Sequence, residues 1–181
     1  GMAQKIPLSC RVQPEKKIRV PFATLRMHFP DKQNVEPEEL YHWIGYPENI
    51  GNPNFENTCA IRLSLALLGA GYPNPGGWPI RAGKYKGRAI ETRQRKLSNW
   101  LIHQLGQPEK FKSGLEAENK IGPRRGIVSF FNIYGDDRAQ GHIAIIAKDR
   151  WGRYIRCGND IDGTATGCYW SSRDVWFWDL H

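Results

Sequence analysis

Nowhere in the 181 residues do about eighteen apolar positions run together, which excludes a membrane-spanning helix. The first twenty-odd residues also lack the apolar stretch of a secretory leader, so neither export by the general route nor membrane insertion is expected. Cysteine is scarce. Cys10, Cys59, Cys157 and Cys168 are too few and too unevenly spaced for a disulfide scaffold, and no two form a C-x-x-C pair, so a structural zinc is not expected. Cys157 and Cys168 stand eleven apart around Gly158, Gly163 and Gly167. They could close a loop in an oxidising compartment or stay as two thiols in a reducing one. Internal repeats and low-complexity tracts are absent as well.

Acidic residues are outnumbered. Eighteen Asp and Glu against 26 Lys and Arg leave a formal charge of +8, which draws the chain toward a polyanion. Nucleic acid, an acidic membrane face and the carboxylate- and phosphate-bearing cell wall all qualify. The length suits one domain, residues 1–181. Within it residues 1–20, with Pro7, Pro14 and Glu15-Lys16-Lys17, read as an extended arm, and Gly1 ahead of Met2 reads as a tag remnant.

Along the chain, Leu40, Trp43 and Ile44 give a short helix within 37–46, followed by a loop rich in Gly and Asn up to Asn57. Asn57 or Thr58 then caps a helix of about ten residues that begins near Cys59 and ends at Gly69 or Gly71, before Pro73. Its residues are apolar on nearly every side except for Arg62 and Ser64, which predicts a buried helix. An amphipathic helix fits 89–105, with Ile90, Leu97, Leu101 and Leu105 on one face. Strand patterns follow at 126–131, 142–147, 153–156 and 175–178, with Asp149 to Gly152 as a turn. Helices first and an antiparallel meander second define an α+β chain.

Two of these elements carry chemistry. A cysteine reacts as thiolate, and a helix N-terminus lowers its pKa. Unpaired N–H groups of the same first turn can hold the oxyanion formed when a thiolate attacks an amide carbonyl. Cys59 occupies that position, although most cysteines there are packing residues. His142 opens an apolar strand directly after Gly141, where a base is rigid and borders a cleft. His28, His42, His103 and His181 read as surface or packing residues. A Cys helix, then a His strand, then a polar residue on the next strand is the order of papain-like hydrolases. The polar residue that orients the imidazole is either Asn159 or Asp160, just past the 153–157 strand.

The stretches Phe55-Glu56-Asn57-Thr58-Cys59-Ala60-Ile61-Arg62-Leu63-Ser64, Leu105-Gly106-Gln107-Pro108, Arg125-Gly126-Ile127-Val128 and Gly141-His142-Ile143 resemble the type VI secretion amidase effectors, family four. The resemblance runs from about Trp43 to Trp178. It implies an NlpC-like, papain-like fold, with N-terminal helices and a buried Cys-bearing helix packed on an antiparallel sheet. It implies a cysteine peptidase that cuts the γ-D-glutamyl to meso-diaminopimelate bond of peptidoglycan stem peptides, with Cys59 as nucleophile and His142 as base, and with no metal or organic cofactor. It also implies synthesis in the cytoplasm, delivery by a secretion apparatus to the periplasm of rival Gram-negative cells, and a cognate immunity protein. A cysteine before the third catalytic residue and a nearby disulfide are family features, matched by Cys157 and Cys168. The family has an aspartate two residues after that cysteine, where this chain has Asn159, with Asp160 next.

Two rivals stand beside this reading. Seven Trp and basic stretches such as 84–95 suit a nucleic-acid-binding module, although the Trp residues are scattered and several fall in apolar strands. The same fold could also serve an acyltransferase or a protein protease, since the nucleophile chemistry is shared and the pocket selects the acceptor.

Overall fold

Short helices precede a sheet, and one helix lies between them as the centre of the molecule. The structure is a computed structural model and describes residues 19–134, 140–158 and 167–181. The arm expected over residues 1–20 lies almost wholly outside the described residues, as do Asn159 and Asp160. In chain order come α1 (Phe22–Met27), α2 (Pro37–Ile44), α3 (Cys59–Gly69), β1 (Trp78–Pro79), β2 (Ala89–Ile90), α4 (Gln94–Leu105), β3 (Glu109–Phe111), α5 (Gly114–Ile121), β4 (Gly126–Phe131), β5 (His142–Lys148), β6 (Tyr154–Ile155) and β7 (Asp174–Asp179). Two 3-10 turns, Pro47–Asn49 and Pro53–Phe55, break the loop between α2 and α3.

The main sheet has the order β3-β7-β4-β5-β6 and is antiparallel throughout. β4, β5 and β6 follow the expected meander, but its fourth strand departs from it and does not pair with β6. β7 returns to pair with the free side of β4, Val128 opposite Phe177, and then carries β3 at the edge. Both faces are covered, which is why β4 and β5 read as continuous apolar runs. Ile127, Ile143 and Ile145 face α3 and α4, whereas Val128, Phe130 and Phe177 face α5.

The helix α3 is buried along nearly its whole length. Leu63 and Leu67 meet the sheet side, and Ile61, Leu65 and Leu68 meet α2 and the β1-β2 ribbon. Burying each such side chain contributes about 2 kcal/mol, so the helix is held by packing more than by propensity. It ends where expected: Gly71 takes a left-handed φ of 97°, and the N–H groups of Gly71 and Tyr72 close on the carbonyls of Leu68 and Leu67.

One boundary differs from the sequence reading. The helix expected over 89–105 begins only at Gln94, because Ala89 and Ile90 pair with Pro79 and Trp78 as a two-stranded ribbon. Glu91 then turns the chain, its carboxylate accepting from the N–H groups of Thr92 and Arg93. Ile90 has the apolar spacing of the helix but is buried against α2 and α3 instead.

Candidate active site

The loop before α3 sets the direction of its first residue. Asn57 reaches over the helix N-terminus and its Oδ1 accepts from the backbone N–H of Cys59 at 3.2 Å. Thr58, the N-cap by position, makes no capping bond; its Oγ1 instead accepts from Arg62 Nε at 2.8 Å. Cys59 therefore enters the helix with its sulfur inside the protein, 7% exposed, and it is a free thiol.

From the other side comes β5. His142 is its first residue and Ile143 its second, and the backbone N–H of Ile143 comes near enough to the Cys59 sulfur to draw its pKa down. The helix start and the strand start thus meet within one residue of His142. Cys59 and His142 line one cleft of about 560 Å³, whose walls include Asp31, Tyr41, Arg62, Tyr134, Arg156 and Tyr169. The His142 ring stands 4.8 Å from that of Tyr169 and 6.4 Å from that of Phe130. Its Nε2 is buried without a hydrogen-bond partner among the described residues. No hydrogen bond joins the Cys59 thiol to the imidazole in this conformation.

The electrostatics depart from the expected low thiol pKa. Burial pushes the Cys59 thiol up, against the pull of the backbone N–H groups of Ile143, Ala60 and Cys59 itself and of the Asn57 side chain. Burial, helped by the positive charge of Lys32, holds the imidazole of His142 down at about 4. Desolvation outweighs the helix N-terminus here, so the resting pair is a neutral thiol and a neutral imidazole.

Gly141 is where the strand must pass closely under α4. A Cβ there would collide with the side-chain amide oxygen of Gln94 and the carbonyl of Phe130. Gln94 is fixed in turn, its Nε2 donating to Ser129 Oγ at 2.7 Å while the Ser98 and Ser129 hydroxyls share a bond of 2.7 Å.

Cys157 and Cys168 are joined by a disulfide, with Cα atoms 4.9 Å apart. It ties the end of β6 to the chain leading toward β7, beside the bridge between Gly158 and Cys168. Asn159 and Asp160 follow directly in the sequence, outside the described residues. Arg62, a polar exception on a helix the sequence predicts to be buried, is 4% exposed and belongs to the cleft wall. Asp31, Gln94, Arg156 and Tyr169 carry no sequence signal. Their places follow from contacts such as Arg156 with Asp31, 125 residues apart.

A buried cysteine at a helix N-terminus, packed against the start of a sheet strand that opens with histidine, is the layout of papain-like, NlpC-like hydrolases of amide bonds. The family model described as type VI secretion system amidase effector protein 4, Tae4, matches residues 55–178, and the chain belongs to this family. It is thus an amidase effector of type VI secretion, a hydrolase directed at peptidoglycan. Solved structures share the fold. Tae4 from Enterobacter cloacae is 22% identical with a TM-score of 0.66, covering 91% of this chain and 99% of that one. The Tae4–Tai4 effector–immunity complex from the same organism gives 23% and 0.65, covering 91% of this chain and 100% of that one. The Tae4–Tai4 complex from Salmonella Typhimurium gives 18% and 0.64, with the same coverage. No curated protein sequence matches the chain significantly.

Proposed function

We propose that this effector hydrolyses the γ-D-glutamyl to meso-diaminopimelate bond of peptidoglycan stem peptides, with Cys59 as nucleophile and His142 as general base. The observation that carries the reading is the meeting of Cys59 with the start of β5, in a cleft large enough for a peptide. As substrate enters, His142 takes the proton of Cys59 and the thiolate sulfur bonds to the γ-carbonyl carbon. The N–H groups of the first turn of α3 face the oxyanion. That of Cys59 is shared with Asn57, so Asn57 yields part of its bond as the charge develops. The protonated His142 then gives its proton to the leaving amine, and the C–N bond breaks. Water, deprotonated by the same imidazole, splits the thioester, releasing the γ-carboxylate and restoring the thiol.

The buried Nε2 of His142 needs an acceptor once the ring is charged, and Asn159 or Asp160 supplies it in this reading. The chain acts as one catalytic domain, residues 1–181. It is delivered by the secretion apparatus to the periplasm of target Gram-negative cells and held inactive in its producer by a cognate immunity protein. The relatives solved as effector–immunity complexes support that last assignment. Digestion of purified muropeptides tests the reaction. The wild-type protein is expected to release products cut between D-glutamate and diaminopimelate, and a folded Cys59→Ala protein none. Intact stems after treatment with wild type, under reducing and oxidising conditions alike, would reject it.

A further inference from the structure

Two guanidinium groups meet in the wall of the cleft with donors left over. Arg62 stands on α3 one turn after Cys59, and its Nη1 donates to the carbonyls of Pro30 at 2.8 Å and Val35 at 2.7 Å. Its Nε is held by Thr58, while its Nη2 is buried with no partner among the described residues. Arg62 forms no salt bridge among the described residues either. A buried cation so placed costs free energy that only an anion or further acceptors offset.

Arg156 reaches the same 30–35 loop from the end of β6. Its Nη1 pairs with Asp31 Oδ2 at 2.6 Å, and its Nε is buried and unpartnered among the described residues. Its backbone sits at a φ of 69°, a left-handed conformation unfavourable for a residue with a side chain. Asp31 cannot serve both cations well. Its Oδ1 already accepts from the backbone and side-chain N–H groups of Asn34, at 3.2 and 3.0 Å. Among the described residues, two guanidinium groups face one carboxylate at this part of the cleft wall, a local excess of positive charge. The other acidic lining residues, Glu38 and Glu56, are exposed to solvent.

The ligand that suits such a wall is a carboxylate, whose paired oxygens match guanidinium donors. We propose that Arg62 and Arg156 form a carboxylate subsite beside Cys59, which holds the free α-carboxylate that a γ-glutamyl linkage leaves on the acyl side of the scissile amide. This rests on the reading of the cleft as a stem-peptide hydrolase. Arg62 follows Cys59 by three residues on α3, a rise of about 4.5 Å along the helix axis, and both line the same cleft. An ordinary α-linked peptide backbone presents no carboxylate there, so the subsite selects γ-linked substrates.

Calorimetric titration of the Cys59→Ala protein tests this with three synthetic stem peptides. One has all carboxyls free, one has only the D-glutamyl α-carboxyl amidated, and one has only the side-chain carboxyl of diaminopimelate amidated. Amidation at D-glutamate is expected to weaken binding by about tenfold or more, and amidation at diaminopimelate by no more than about twofold. Adding Arg156→Met should bring the free acid down to the affinity of its D-glutamyl amide. Should that variant melt early, the comparison of ligands on the Cys59→Ala protein decides alone. Equal affinities for the free acid and the D-glutamyl amide, loss on diaminopimelate amidation instead, or no binding of any peptide overturns the subsite. Cleavage by the wild-type protein is read separately. Peptides bound selectively yet left uncut would reject the hydrolase reading and keep the subsite, whereas equal cutting of acid and amide would do the reverse.

Discussion

At Cys59 and His142, burial decides the protonation state, and this has a consequence in the pH dependence of stability. His142 is held at about 4 in the folded protein, against about 6.5 when unfolded. Its neutral form is favoured by the fold, so its contribution is fully present above about pH 6.5 and is lost as pH falls toward 4. The full difference corresponds to about 3 kcal/mol, an upper bound because the residue as a whole is only partly buried. Cys59 has the opposite sign: its raised thiol pKa favours folding at lower pH and withdraws that support as pH rises through the unfolded value. Melting temperature should therefore peak between the two, and His142→Gln should flatten the acid limb between about pH 6.5 and 4. A wild-type melting curve level across that range would refute the assignment. The place of Cys59 on the helix was legible from Asn57, Thr58 and the apolar run after it. The sign of its pKa shift was not, because desolvation depends on α1, α4 and β5, none of which adjoins it in sequence.

The elements themselves were legible where they are long or sharply punctuated. The bounds of α3 follow from Asn57 and Gly71, and the apolar runs of β4 and β5 are unmistakable because both their faces are covered. β3 is only three residues long, and its strand state is imposed by pairing with β7, distant in sequence. The signal for α5 was present in Ser113 and Glu116: Ser113 Oγ accepts from the Glu116 N–H at 3.1 Å, a capping bond whose spacing is visible in the chain. The close passage of Gly141 beneath Gln94 leads to a prediction at this scale. Gly141→Ala forces the Gln94 amide away from Ser129 and displaces the start of β5, costing about 1–3 kcal/mol of stability as an overpacked site. Cleavage should fall further than stability accounts for, by about tenfold or more at a temperature where the protein stays folded, because a small displacement of His142 spoils its approach to the sulfur. Gln94→Ala, added as a second change, relieves the collision and should recover part of the rate. Muropeptide turnover alongside thermal melts checks both, and an unaltered rate in the single variant would contradict the role given to this packing.

Over the whole molecule, the cleft is assembled from segments far apart in the chain: the 30–35 loop, the start of α3, the start of β5 and the end of β6. Only the last is anchored covalently. The Cys157–Cys168 disulfide closes a loop of eleven residues' separation, and in the loop-entropy account such a closure contributes about 3 kcal/mol. For a chain of this length that amounts to roughly 6–12 °C in melting temperature. The same bond fixes the strand end that carries Arg156 and leads into Asn159 and Asp160, so its loss should reach the site as well as the fold. Synthesis in the cytoplasm and action in the periplasm, as proposed, would move this cysteine pair from a reducing to an oxidising compartment. The double variant Cys157→Ser/Cys168→Ser is expected to melt lower by that margin. At a temperature well below both transitions its cleavage rate should still be reduced, because the wall bearing Arg156 is no longer tied to the chain before β7. Wild type treated with a thiol reductant should follow the variant, since Cys59 is unharmed by reduction and needs its sulfur free. Equal rates and equal melting temperatures for the reduced, oxidised and serine-substituted proteins would show that packing of the buried Cys157 alone holds the end of β6.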